Sequence, residues 1–194
     1  MKIEHSYIKQ PFCRKFSFGI IIPIVVLLLW SCKYNVTLIK SSAELGKEPS
    51  ELEVVKKLRH AFRSDSLIIV NKNGVEQMLA CESLWGIKLE DGTLYRYYKD
   101  QYYHVRQNAG IQVYSQTHTS YKSSSTSYYF SKGLDNDIYS LKWKNLKKQF
   151  TNDTCFLRKI DTELKWYQDY SSYDRKNKTY RINTFYKQCK NNKP

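Results

Sequence analysis

Two neighbouring stretches, Tyr95-Arg96-Tyr97-Tyr98 and Tyr102-Tyr103-His104-Val105-Arg106, interleave phenol rings with guanidinium and imidazole groups. Aromatic rings stack on sugars or bases, and arginine grips anions beside them. Tyr95, Tyr97, Tyr98, Tyr102, Arg96, His104 and Arg106 therefore form a candidate binding face. A second reading holds beside it. Alternate strand residues point to opposite sides, so half of these rings can be core and the rest cross-strand pairs. His104 and Arg106 are also where a non-obvious catalytic site would lie. Otherwise the search for chemistry is negative. The four histidines include no i, i+4 pair and no H-E-x-x-H. No G-x-S-x-G occurs, and Glu90-Asp91 is accounted for by turn chemistry. No catalytic residue, metal site or cofactor is expected, and an enzyme is the alternative, not the leading expectation.

Cys32 carries a different chemistry. Phe18 to Trp30 is a run of 13 residues without a charge. A spanning helix needs about 20, whereas the h-region of a signal peptide is this short. Arg14 and Lys15 precede the run, with Lys2 and Lys9 further back. It ends Leu29-Trp30-Ser31-Cys32, which resembles a bacterial lipobox: an aliphatic residue three positions before the cysteine and a small one just before it. The Cys32 thiol would accept a diacylglyceryl group, and cleavage would follow Ser31. Trp30 departs from the pattern, since a small residue is usual there. The alternative is an uncleaved N-terminal anchor. Either way the chain is tied to a membrane. Each buried CH₂ contributes ~0.8 kcal/mol, so two or three acyl chains hold firmly. Residue 33 is lysine, without the aspartate that retains lipoproteins at the inner membrane, which points to the periplasmic face of the outer membrane.

The formal charge is +14. Residues 1–31 hold four basic side chains and Glu4, so the remainder keeps +11. That balance favours anionic partners. For an exported chain these are acidic glycans, lipid headgroups or another envelope protein, not nucleic acid. Of five cysteines, Cys13 leaves with the signal and Cys32 takes lipid, leaving Cys81, Cys155 and Cys189. These are either small buried hydrophobes or include one bridge in an oxidising compartment. If bridged, Cys155 and Cys189 are the expected pair, both lying on predicted C-terminal helices. No C-x-x-C motif exists.

The elements that position these residues follow from periodicity. Residues 32–49 read as the lipidated cysteine and a flexible tether, and residues 50–194 as one domain. Ser50-Glu51-Leu52-Glu53 matches a capping box, and Val54, Val55, Leu58, Ala61 and Phe62 follow at helical spacing, predicting a helix over 51–63. Strands are expected at 66–70, 75–80, 85–89, 94–98, 102–106, 111–114 and 128–130. Turn signals separate them, including a primed hairpin turn at Asp91-Gly92. Residues 115–127, rich in serine and threonine, read as an exposed hairpin tip or loose edge. Helices are predicted around Leu141–Phe150, Phe156–Leu164 and Tyr180–Cys189. The fold class is α+β: a twisted antiparallel β-meander with C-terminal helices packed on one face or end.

The segments LWGIKLEDGTLYRYYKDQYYHV, IQVYSQ, SYYFSKGLDNDIYSLKWKNLKKQF and YDRKNKTYRINTFYKQ together resemble a group of bacterial exported lipoproteins of unknown function. Its members share a tryptophan-glycine strand, a YYFSK strand, an NLKK-F helix and a closing YRIN-F-Y helix. The resemblance implies an exported sheet-plus-helices domain and brings no activity, substrate or catalytic residue. The expectation is a membrane-anchored envelope lipoprotein acting as a non-enzymatic binding or interaction module. The alternatives are an enzyme around His104 and Arg106, and a structural or assembly spacer.

Overall fold

Alternating apolar and polar residues between Gly and Asp/Asn turns build the sheets of this chain from antiparallel strands. The structure, a computed structural model, describes residues 35–48, 51–60, 66–164 and 170–191. All of these fall in one compact unit, Lys33–Pro194. The expected signal segment, Cys32 and Ser50 lie outside the described residues.

The main sheet is eight-stranded and antiparallel. It comprises β1 (Val36–Ile39), β2 (Val54–Val55), β6 (Gly86–Leu89), β7 (Leu94–Tyr98), β8 (Gln101–Gln107), β9 (Gln112–Thr119), β10 (Ser124–Ser131) and β11 (Tyr139–Ser140). Their order is β11-β10-β9-β8-β7-β6-β1-β2. A second sheet orders β3 (Lys57–His60), β4 (Ser66–Val70) and β5 (Glu76–Ala80) as β3-β4-β5. Helices α1 (Trp143–Gln149), α2 (Thr154–Leu164) and α3 (Arg181–Asn191) follow, with a small hairpin, β12 (Tyr173–Asp174) and β13 (Thr179–Tyr180), before α3.

Two apolar clusters hold these layers. One joins Ile111, Val113 and Phe130 of the sheet side to Leu146, Phe156, Ile160, Ile182 and Phe185 of the helices. The other joins Leu67 and Ile69 of the small sheet to Val36, Leu38, Val55 and Ile87 of the main one. A disulfide between Cys155 and Cys189, Cα atoms 5.8 Å apart, ties α2 to α3. Asn183 is fully buried and acts as a backbone surrogate. Its Oδ1 accepts from Ile111 N at 2.7 Å, and its Nδ2 donates to Ile111 O at 2.8 Å and Gln107 Oε1 at 2.9 Å.

Four expectations need correction. The flexible tether over 32–49 does not extend that far: Val36–Ile39 is a buried interior strand, with Val36 opposite both Val55 and Leu89. Ser42–Gly46 forms a 3₁₀ turn. The domain therefore begins well before residue 50. The helix expected over 51–63 is instead β2 and β3 as far as His60, residues 61–63 lying outside the described residues. Val54 and Val55 are β-branched and favour strand, and Lys56 N donates to Val70 O at 2.8 Å. Glu53 pairs with Lys40 at 2.9 Å and so caps no helix.

The turn at Asp91-Gly92 is not primed. Gly92 alone is left-handed (φ 84°), and its N–H donates to Leu89 O, as in a type I turn closed by a bulge. The primed turn is at Lys99 and Asp100, with φ of 47° and 61°. There Asp100 accepts from the Tyr97 hydroxyl at 3.0 Å. Finally, Ser124 to Ser131 pairs residue by residue with Thr119 to Gln112. The serine-rich stretch is thus mostly ladder, with its tip confined to 120–123.

Gly86 is required by a close approach. A Cβ there would lie 2.1 Å from Tyr95 O on the neighbouring strand.

Candidate functional site

Strand alternation divides the seven-residue face. Cross-strand partners Arg96 and Tyr103 share one side, and Tyr95/His104 and Tyr97/Tyr102 share the other. Those residues do not form one surface, and each side has its own chemistry.

On the first side Arg96 is buried. Its Nη1 donates to the Tyr114 hydroxyl at 3.0 Å, and its guanidinium sits 5.4–5.9 Å from the rings of Tyr98, Trp85 and Tyr114. No carboxylate of a described residue makes an ion pair with it. Aromatic faces supply the close negative potential, and the charge of Asp137 acts on it from beyond ion-pair distance. Tyr114 OH meets Ser131 Oγ at 2.9 Å, which donates to Gly133 O at 2.6 Å. The 132–138 loop is fastened above by Trp85 Nε1 to Leu134 O and by Tyr98 OH to Asp137 Oδ1. A polar cleft of about 260 Å³ lies beside this loop, lined by Lys132, Asp135, Asn136, Asp137, Tyr139 and Gln149. Its carboxylates are already engaged: Asp135 by Ser42, and Asp137 by Tyr98 and Tyr139. The Tyr98 hydroxyl holds the Asp137 carboxyl below the usual carboxylate range.

The second side has two regions. Tyr97 and Tyr102 are packed against the apolar cluster, rings 5.1 Å apart, with hydroxyls meeting the buried Cys81 thiol. Burial pushes both phenols well above their ordinary value. They are core, as the alternation reading allows. Tyr95, His104 and Arg106 form the other region. Tyr95 and His104 rings are 5.2 Å apart. Arg106 is exposed and donates from Nη1 to His104 Nδ1 at 3.3 Å. The register shift between Val105 and Gln107 leaves Arg106 as the extra residue of a β-bulge.

Sequence reasoning missed the rest of this patch. Arg106 also acts on the Tyr180 hydroxyl, opposing the upward push that burial gives that phenol. The Tyr180 ring lies 6.3 Å from Tyr128 and 5.1 Å from the exposed ring of Tyr173. The available signal was Asp174 with Asn177, whose hydrogen bonds tighten the β12–β13 turn between two tyrosines. The bulge itself has no signal in the sequence.

Burial, then the like charge of Arg106, holds the His104 ring below its ordinary pKa, and Asp91 opposes through its charge. Arg106 donation to Nδ1 fits a neutral ring. Asp91 makes no hydrogen bond to His104, so the direct contact that a His–carboxylate catalyst needs is not formed between these described residues. Among the described residues no group of three or more His, Cys, Asp or Glu side chains could hold a metal, and no helix is long and apolar enough to cross a membrane. Residues 142–194 hold 14 basic and five acidic side chains, a net +9 of the chain's +14. Lys142, Lys144, Lys147 and Lys148 on and beside α1 are all exposed. No family model matches the chain, and neither a curated protein nor a solved structure is significantly similar to it.

Proposed function

We propose that this protein is a non-enzymatic binding module of the bacterial envelope, exported and held by an acylated Cys32 on the periplasmic side of the outer membrane. Its β-meander presents the Arg106 patch to an anionic envelope component, an acidic glycan or a phosphorylated lipid headgroup. One observation carries the reading. Arg106 stands exposed at a bulge, framed by Tyr95, His104, Tyr128, Tyr173 and Tyr180. A guanidinium beside aromatic faces suits a ring-bearing anion. The resemblance to exported proteins and the lipobox-like end of the apolar run support the location.

The test is retention of the purified protein on immobilised lipopolysaccharide and on an acidic polysaccharide at low salt. Arg106→Ala should weaken it about tenfold or more, the loss of one charge-assisted contact of roughly 1.5–3 kcal/mol. Equal retention of variant and native protein would remove this site from the reading.

A further inference from the structure

The Arg106 patch holds one group whose charge can change near neutral pH. His104 is half-buried on β8, two residues before Arg106 at the bulge. Histidine is the side chain that ordinarily titrates between about pH 5 and pH 8. Its Nδ1 accepts from Arg106 Nη1 at 3.3 Å. An imidazole nitrogen accepts only while it carries no proton. The proton of the neutral ring is therefore on Nε2, and one guanidinium N–H is spent inside the protein.

Protonation changes both partners. Nδ1 becomes a donor, Arg106 Nη1 loses its acceptor, and two cations face each other across the same 3.3 Å. The surroundings do little to relieve them. Across β7 the ring meets Tyr95, centroids 5.2 Å apart. Across β9 its partner is Ser115, which carries no charge, and beyond that stands Tyr128 of β10. Asp91, from the turn before β7, acts on the ring by charge alone, its Oδ1 accepting from Thr93 N at 2.8 Å. Burial keeps the phenols of Tyr95 and of Tyr180 from β13 protonated. No described carboxylate pairs with His104 or Arg106. An anionic group with two acceptor oxygens would remove the repulsion. A carboxylate, sulfate or phosphate between ring and guanidinium accepts one hydrogen bond from Nδ1–H and one from the released Nη1–H, both charge-assisted.

We infer that anion binding at Arg106 is coupled to protonation of His104: each anion bound draws one proton from solvent onto Nδ1, and the patch grips more tightly as pH falls. This rests on the reading of the patch as an anion site and adds its regulation. Coupling of this kind is reciprocal, so the anion makes the ring a stronger base as the proton makes the patch a stronger binder. In the free protein His104 loses its proton below the ordinary histidine value. With the anion bound it should hold that proton to higher pH. Between those two points affinity rises as pH falls, by at most about tenfold per pH unit for one proton, and outside them it is level.

The test measures affinity of the purified protein for a sulfated oligosaccharide at fixed ionic strength from about pH 8 to about pH 5, a range in which sulfate keeps a constant charge and histidine does not. Native protein should bind roughly tenfold tighter at the acid end. The His104 ring resonance should titrate at higher pH with the oligosaccharide bound than without it. His104→Gln keeps an acceptor for Arg106 but takes up no proton, and its profile should be flat. A native affinity that does not change with pH, a His104→Gln profile that follows the native one, or a ring midpoint unmoved by the oligosaccharide overturns the coupling and leaves the Arg106 reading standing. Native and Arg106→Ala proteins that bind alike at every pH overturn both.

Discussion

At the scale of single residues, chemistry-bearing side chains in this chain mostly serve the fold. Arg96 looked like a ligand-gripping cation, and it is a buried one stacked among its own tyrosines and Trp85. Arg106, ten residues on, is the exposed counterpart. Nothing in YRYY and YYHVR distinguishes them. Strand parity separates the two, but both sides of this sheet are covered in its middle, where Gln112, Val113, Tyr114 and Ser115 are all buried. Asn183 was invisible as a core residue because asparagine is usually exposed. It is buried because the turn before Ile111 leaves a backbone N–H and C=O to satisfy. His104 gives a testable consequence. Its folded pKa is depressed, so the unfolded chain takes up the proton first as pH falls. Stability from this group is complete above about pH 6.5 and is lost below it until the lower folded value is passed. Unfolding free energies measured against pH should show the native protein losing stability relative to His104→Gln on acidification. Removing Arg106 should reduce the difference, since its charge is one of the causes. Parallel curves for native and His104→Gln would show that the ring titrates normally.

At the scale of elements, legibility followed the strength of local signals. The hairpins from 66 to 80 and from 86 to 107 were readable because alternation and turn residues agreed. β1 was not, since Val36-Thr37-Leu38-Ile39 is short and set among polar residues. Its strand character comes from partners 18 and 50 or so residues away. β2 and β3 were read as a helix because Val54, Val55 and Leu58 satisfy both spacings, and the pairing of β2 with β1 and of β3 with β4, continued by Lys56 N to Val70 O, decides between them. The three helices, by contrast, were legible from their apolar spacing, and the Cys155–Cys189 link spans two of them. That link closes a separation of 34 residues, for which chain entropy gives roughly 3–4 kcal/mol. The Cys155→Ser, Cys189→Ser variant should therefore unfold at clearly lower urea, with the loss shared by reduced native protein. A variant as stable as the oxidised native chain would mean the helical layer needs no covalent tie. Such a result is hard to reconcile with α2, which has only three fully buried side chains, Phe156, Ile160 and Leu164, with Cys155 and Leu157 half-buried beside them.

For the whole molecule, charge is the property most readable from sequence and least dependent on fold. What the structure adds is where it sits. Lys142, Lys144, Lys147 and Lys148 lie on and beside α1 without an acidic neighbour on that helix, and Arg175, Lys176 and Lys178 occupy the turn of the hairpin that carries Tyr173 and Tyr180 to Arg106. The positive field is therefore broad, while the contact with Arg106 is local. The two act on different rate constants. Dispersed surface charge steers encounter and is screened by salt, whereas a desolvated contact sets residence time. Reversing three of the lysines (Lys144→Glu, Lys147→Glu, Lys148→Glu) should slow association with an acidic polysaccharide by roughly tenfold at low salt and flatten the salt dependence. Arg106→Ala should chiefly speed dissociation and leave the salt slope nearly intact. Association and dissociation rates measured over a salt series separate these effects. If the lysine reversal changes dissociation and Arg106→Ala changes only association, the roles are exchanged, and the helical layer, not the strand bulge, makes the specific contact.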